Sequence, residues 1–150
     1  GTVPSSENST WDAAACNFNA NGYRLPTEAE WEWAARSGEN YQYAGSDNID
    51  EVAWYSSNTS DTGTRDVKTK KANGYGLYDM SGNVMEWCWD WYENISNATP
   101  NTGASSGSDR CFRGGSWNNG ADYVGVAFRG NYFPYGRNYL VGFRLVRSAQ

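Results

Sequence analysis

RLPTEAEWEWAAR, residues 24–36, is the stretch from which the fold is read. Thr27 and Glu30 stand at the spacing of a capping box, in which the Thr27 hydroxyl accepts from the Glu30 amide while the Glu30 carboxylate reaches back. A helix therefore begins here. Trp31, Ala34 and Ala35 share one face at helical spacing, and Ser37-Gly38 closes the helix, glycine being suited to a left-handed C-cap. Glu28, Glu30 and Glu32 read as the solvated side of that helix, without the spacing of a catalytic carboxylate pair.

Outward from this helix every element is short. Upstream, residues 10–16 place a hydroxyl ahead of an Ala-rich turn and predict a brief helix that stops in 17–22. Downstream, 39–66 is polar, interrupted by Tyr41-Gln42-Tyr43 and Val52-Ala53-Trp54-Tyr55, and predicts a loop with one or two brief strands. In 86–91, Trp87, Trp89 and Trp91 alternate with Glu86, Cys88 and Asp90, and this period of two predicts a strand. Residues 94–109 read as a mobile Ser/Gly/Asn linker, and 110–112, 124–128 and 143–146 as the remaining strands. The fold class is α+β, irregular and loop-rich, in one domain covering 1–150, since 150 residues bury one core comfortably and not two. Trp31, Trp33, Trp87, Trp89 and Trp91 are expected in the core or the layer beside it.

Composition excludes several functions. A net charge of -5 with only 12 Lys plus Arg gives no footprint for nucleic acid or anionic membrane. No run of 18 apolar residues exists, so direct membrane insertion by this segment is not expected. The opening GTVPSS is not a signal peptide, and any export signal is expected upstream of Gly1. Cys16, Cys88 and Cys111 lack the spacing of a zinc site. They are either inert buried thiols or, in an exported protein, one disulfide and an odd thiol. The absence of histidine removes the usual general base and the commonest transition-metal ligand.

Residues 118–140, NNGADYVGVAFRGNYFPYGRNYL, have the composition of a contact surface. Tyr and Phe give large rigid area at low entropy cost, and Asn and Gly give adaptable hydrogen bonding, as in an antibody paratope. Lys, Glu, Gln, Met and Trp supply 23 of the 127 residues outside this segment, so about four are expected among its 23 positions; none occurs. A Gly/Asn-rich surface loop is the plainer alternative.

Four ordered motifs carry a resemblance: residues 24–36, NGYGLYDMSGNVMEW at 73–87, RGGSW at 113–117 and GFR at 142–144. From about Trp11 onward the chain resembles the formylglycine-generating-enzyme (sulfatase-modifying factor) domain, which implies an elaborated C-type lectin fold. The oxidase chemistry of that family is not implied here. Its two cysteines fall at Asn119 and Val124, which supply neither a thiolate nor a soft copper ligand, and the related sulfoxide synthases need histidines. The chain is more similar to the variable proteins of diversity-generating retroelements, treponemal ones among them. In that group the segment between GGSWN and GFR is rewritten at adenines of AAC or AAT codons, which never yields Lys, Glu, Gln, Met or Trp.

By this resemblance the ligand-binding positions are Asn118, Asn119, Gly120, Asp122, Tyr123, Phe128, Gly130, Asn131, Tyr132, Phe133, Tyr135, Gly136, Asn138, Tyr139 and Leu140, with Gly125 a marginal addition. Val124, Val126, Ala127, Arg129, Pro134 and Arg137 are implied as framework, held by burial, by guanidinium bonds to carbonyls and by the fixed proline φ. For Arg129 and Arg137 direct ligand contact is the alternative. Asp79, Gly82, Val84 and Glu86 match a family calcium site, and mixed carboxylate and carbonyl oxygens suit Ca²⁺. Alternatively Asp79 caps a turn and Glu86 pairs with Arg113 or Arg144. Trp117-Asn118-Asn119 is similar to the Trp-Asn-Asp element of sugar-binding lectins, but the companion Glu-Pro-Asn is absent. The implied function is a non-enzymatic, lipid-anchored cell-surface receptor for a protein or glycan ligand on another cell, with an oxidase or pseudo-enzyme and a carbohydrate-binding lectin as alternatives.

Overall fold

The computed structural model describes residues 6–60, 62–96 and 99–147; Asn97 and Ala98 of the expected linker lie outside the described residues. In chain order the elements are α1 (Ser9–Asp12), α2 (Glu28–Arg36), α3 (Ile49–Val52), β1 (Ala53–Trp54), α4 (Ser56–Thr59), β2 (Ser81–Gly82), β3 (Met85–Trp91), β4 (Arg110–Arg113), a 3₁₀ turn (Ala121–Tyr123), β5 (Gly130–Tyr132) and β6 (Val141–Gly142). The main sheet has the order β5-β4-β3-β6, and β1 and β2 form a separate parallel pair. β4 runs antiparallel to β3 and β5, and β6 runs parallel to β3. The α+β, loop-rich expectation holds.

The capping box sets α2 as expected: Thr27 Oγ1 accepts from the Glu30 amide at 3.2 Å and Glu30 accepts from the Thr27 amide at 2.8 Å. Ser37 takes the left-handed conformation at φ 50° and Gly38 follows at φ 78°. Trp31 and Ala35 enter the core with Ala44, Met80, Cys88, Cys111 and Val126. A second cluster joins Tyr43, Val52, Ala53, Tyr55 and Val124. Trp33 departs from the expectation, being 67% exposed. Two residues along a helix turn it to the face opposite Trp31, where it meets Tyr75 at a centroid distance of 4.9 Å.

β3 is a strand, but its sides are reversed. Glu86, Cys88 and Asp90 are buried while Trp87 and Trp89 are only half-buried, and Trp91 alone of the three indoles is buried. The reason lies in α2, which packs on this face and presents polar groups that need partners. The Trp31 indole donates to Glu86 at 2.7 Å, and the Glu28 amide, first in the helix, donates to Asp90 at 2.7 Å.

Other elements differ in place. α1 starts at Ser9 because the Asn8 side chain, rather than Thr10, caps it. Residues 124–128 turn instead of extending, with the Val126 amide bonded to the Gln42 carbonyl at 2.9 Å; the strand comes later, at β5. Of 143–146 only Val146 bridges, to Arg24. The expected linker is mostly exposed among its described residues but is tied to the sheet at one place: Ala104 bridges to Trp91, and Gly103 lies so close to Asp90 that a Cβ there would sit 2.7 Å from its Cγ.

Candidate functional site

Segment 118–140 leaves the sheet through a tight turn and returns to it. Gly115, at φ 63°, must be glycine, since a Cβ would stand 2.7 Å from Val124 Cγ1. Ser116 is fully buried, and its amide and hydroxyl both donate to Asn119 Oδ1, at 2.9 and 2.8 Å. Val124 is 0% and Val126 2% exposed, so the segment dips into both core clusters before emerging. At the far end the Leu140 carbonyl accepts from the Met85 amide at 2.8 Å and β6 begins.

Arg129 pins the middle. Its Nε and Nη2 grip Glu28 at 2.5 and 2.7 Å, and Nη1 donates to the Glu93 carbonyl at 3.0 Å. Glu28 also accepts from Arg113 Nη1 at 2.7 Å and from the Cys111 thiol at 3.2 Å. Arg113, with no exposed side-chain surface, reaches Glu32 at 2.5 Å and the Val126 carbonyl at 2.7 Å. The expectation of a solvated Glu28 and Glu32 is therefore corrected: a face that carries buried arginines needs buried carboxylates to neutralise them. Burial opposes the Glu28 charge, but hydrogen bonds from Arg129 and the charge of Arg113 outweigh it and hold its carboxyl below the ordinary value. Among the described residues no guanidinium grips Asp90 in this way. Burial first, then the neighbouring Glu28 charge, push it up to about 6, against the hydrogen bond from the Glu28 amide.

The candidate ligand positions divide by exposure. Asn118, Gly120, Asp122, Tyr123, Asn131, Phe133 and Tyr139 are exposed; Asn119, Phe128, Tyr132, Tyr135, Gly136, Asn138 and Leu140 are half-buried. Gly130 departs from the expectation of an outward position: it is buried in β5 opposite Phe112, whose ring covers it. Asn119 and Asn138 also carry structural duty, Asn138 Oδ1 accepting from the Leu140 amide at 2.9 Å. Of the expected framework, Val124 and Val126 are buried and Arg129 is pinned, and Ala127, Pro134 and Arg137 are exposed. The aromatic rings fall into three groups: Tyr123 on Phe128, Tyr139 on Trp117, and Phe133 stacked on Tyr135 at 5.4 Å beside Tyr132.

A cleft of about 360 Å³ opens beside the last group, walled by Pro134, Tyr135 and Gly136 on one side and by Trp11, Leu25, Trp87 and Trp89 on the other. Those walls were missed in the sequence. The period-two run in β3 does hold the signal, once Trp87 and Trp89 are known to be half-exposed.

The expected calcium ligands do not fit a cation as arranged. Both Glu86 oxygens are taken by Arg144, at 2.5 and 2.7 Å, and one also by the Trp31 indole. The same guanidinium reaches the Tyr78 and Asp79 carbonyls at 3.2 and 3.5 Å, and Asp79 Oδ2 accepts from the Lys68 amide at 2.9 Å. A positive charge thus stands among the groups that Ca²⁺ would have to join. Among the described residues no three His, Cys, Asp or Glu are grouped to hold a metal ion. The three cysteines are free thiols. Burial raises the pKa of Cys88 and Cys111, so neither is a ready thiolate.

Comparison with known proteins gives three relatives of particular weight. Treponema denticola variable protein 1 superposes with a TM-score of 0.89 at 48% identity, over 95% of this chain and 53% of that one. The chaperone protein LppX of Paenibacillus barcinonensis is 39% identical over 95% of this chain and 55% of its own length. The formylglycine-generating enzyme of Streptomyces coelicolor is 35% identical over 93% of this chain and 51% of its own. The chain spans about half the length of each of the three. The model of the sulfatase-modifying factor enzyme 1-like domain matches residues 2–149. With that match, and with the C-type lectin type of fold that such relatives share, the chain belongs to the sulfatase-modifying factor enzyme 1-like domain family.

Proposed function

We propose that the chain is the ligand-binding part of a non-enzymatic variable protein, in which a retroelement rewrites segment 118–140 while the rest stays constant. The observation that carries this is the division within the segment: Val124 and Val126 are buried and Arg129 is pinned, whereas the candidate ligand positions other than Gly130 and the marginal Gly125, both buried, keep exposed or half-exposed surface. Side chains there can change without opening the core. The likeness to Treponema denticola variable protein 1 supports the same reading. Loss of the oxidase thiols does too, since Asn119 is spent on Ser116 and Val124 is fully buried.

The ligand is a protein or glycan on another cell surface, met by a protein exported and lipid-anchored through a segment upstream of Gly1. A few aromatics supply most of the affinity, namely Tyr123, Phe128, Tyr132, Phe133, Tyr135 and Tyr139, and polar neighbours supply complementarity. Sequencing the 3′ end of the gene from many clones, with its genomic neighbourhood, tests this. Substitutions confined to adenines of a nearby template repeat and falling on the named positions are expected. A uniform sequence with no template or reverse transcriptase nearby would refute diversification, and thiol-dependent oxygen consumption on a Cys-containing peptide would refute the non-enzymatic assignment.

A further inference from the structure

Gly130, Phe112, Trp87, Tyr132 and Gly136 form one chain of contacts that runs in and out of the 118–140 segment. Trp87 of β3 and Phe112 of β4 are register partners, and their rings meet edge-on with centroids 6.4 Å apart at 79°. Tyr132 packs on the same Trp87 ring at 6.5 Å. At each end stands a glycine whose missing side chain is replaced by a ring. A methyl group on Gly130 would overlap the Phe112 ring; one on Gly136 would overlap the Tyr132 ring and approach the Phe133 carbonyl oxygen to 2.9 Å. Neither glycine has a left-handed φ, so it is these contacts, rather than the backbone, that shut out a side chain.

We propose that positions 132 and 136 are a coupled specificity unit seated on the constant Phe112–Trp87 pair, whose other end holds position 130 to glycine. An aromatic residue at 132 requires glycine at 136, and Phe112 requires glycine at 130. Position 132 then selects between two kinds of face. With a ring at 132, Phe133 and Tyr135 stack within 6° of parallel and Tyr132 lies beside them tilted by 45° to Phe133, an aromatic cluster suited to an aromatic or aliphatic patch of a partner. With a small residue at 132, position 136 is released to carry a polar side chain, and the face suits a hydroxyl-rich or charged partner. This inference rests on the diversified-segment reading.

A double-mutant cycle on the full chain tests it: Gly136→Ala, Tyr132→Ser, and the two together, followed by thermal unfolding. In the parent, Gly136→Ala is expected to lower the Tm by about 3–8 °C, the cost of overpacking a site in a domain of this size. In the Tyr132→Ser background at least half of that loss is recovered, the remainder reflecting the Phe133 carbonyl. The companion cycle, Gly130→Ala with and without Phe112→Leu, is expected to recover at least half as well. Recovery of less than half in either cycle overturns the coupling. The cycles need no ligand and no genetic variation, so a uniform gene sequence would sink the diversification reading and leave their outcome untouched.

Discussion

Glutamine in place of Glu28 removes the one negative charge shared by two arginines that lie 85 and 101 residues away in sequence. The Glu28 side chain is 7% exposed, that of Arg113 0% and that of Arg129 20%. An amide keeps the shape of the carboxylate but turns an NH₂ toward a guanidinium and leaves the positive charges under-compensated. Removing one partner of a buried ion pair costs roughly 3–5 kcal/mol. Arg129 can regain some water and Arg113 retains Glu32, which places the loss at the lower end, about 3 kcal/mol. At about 2–4 °C per kcal/mol for a domain of this length, the Tm falls by on the order of 6–12 °C. Urea and thermal unfolding followed by tryptophan fluorescence read both quantities. Glu30→Gln is the milder comparison: Glu30 is 42% exposed, although its bidentate partner Arg24 is only 14% exposed, and glutamine still completes a capping box, so its loss is about 1 kcal/mol. If Glu28→Gln costs no more than Glu30→Gln, the buried network does not hold the segment.

Asp90 predicts a pH profile. Its folded pKa of about 6 lies above the ordinary 3.8, so the native state binds the extra proton and stability from this group declines as pH rises from about 4 to 6. Asp90→Asn keeps an acceptor for the Glu28 amide and is expected to gain up to about 3 kcal/mol at pH 7, the advantage vanishing below pH 4; urea titrations giving parallel pH profiles for the two proteins would contradict it. Arg144→Ala, which strips Glu86 of its bidentate partner, is expected to cost about 3 kcal/mol. Tyr123→Ala and Tyr139→Ala, at 51% and 76% exposure, should stay within about 0.5 kcal/mol of the parent, and similar losses from both sets would erase the division between framework and face.

What was legible in the sequence was local. The α2 capping box needs only Thr27 and Glu30, and the β3 strand needs only its period of two. Which side of β3 faces inward was not legible, because alternation fixes that two sides differ and not which one the helix covers. There Glu86 and Asp90 win the interior over Trp87 and Trp89, since Trp31 and the start of α2 supply donors that need an oxygen acceptor, which a carboxylate offers and an indole does not. Among the candidate positions, Tyr123, Phe133 and Tyr139 followed from composition and resemblance. The buried setting of Gly130 did not, because it depends on the Phe112 ring arriving from another strand. Likewise Glu28, Arg113 and Arg129 become partners only once α2, β4 and the turn before β5 are assembled, and no spacing in the chain announces it. The apolar residues of 124–128 suggested a strand, yet Val124 and Val126 reach two different core clusters from a turn.

Because Arg129 is clamped to Glu28, the stretch from Asn118 to Leu140 hangs as two short spans of about eleven residues rather than one long one. Closing a loop twice as long would cost only about 0.6 kcal/mol more, so the clamp matters little for chain entropy. It matters for bookkeeping of another kind: a distortion caused by a new side chain in the first span stops at a fixed guanidinium before it reaches the second. Under the proposed rewriting of the segment, the two spans would then change like separate panels on a common frame, and the combinations open to the molecule would multiply across the clamp.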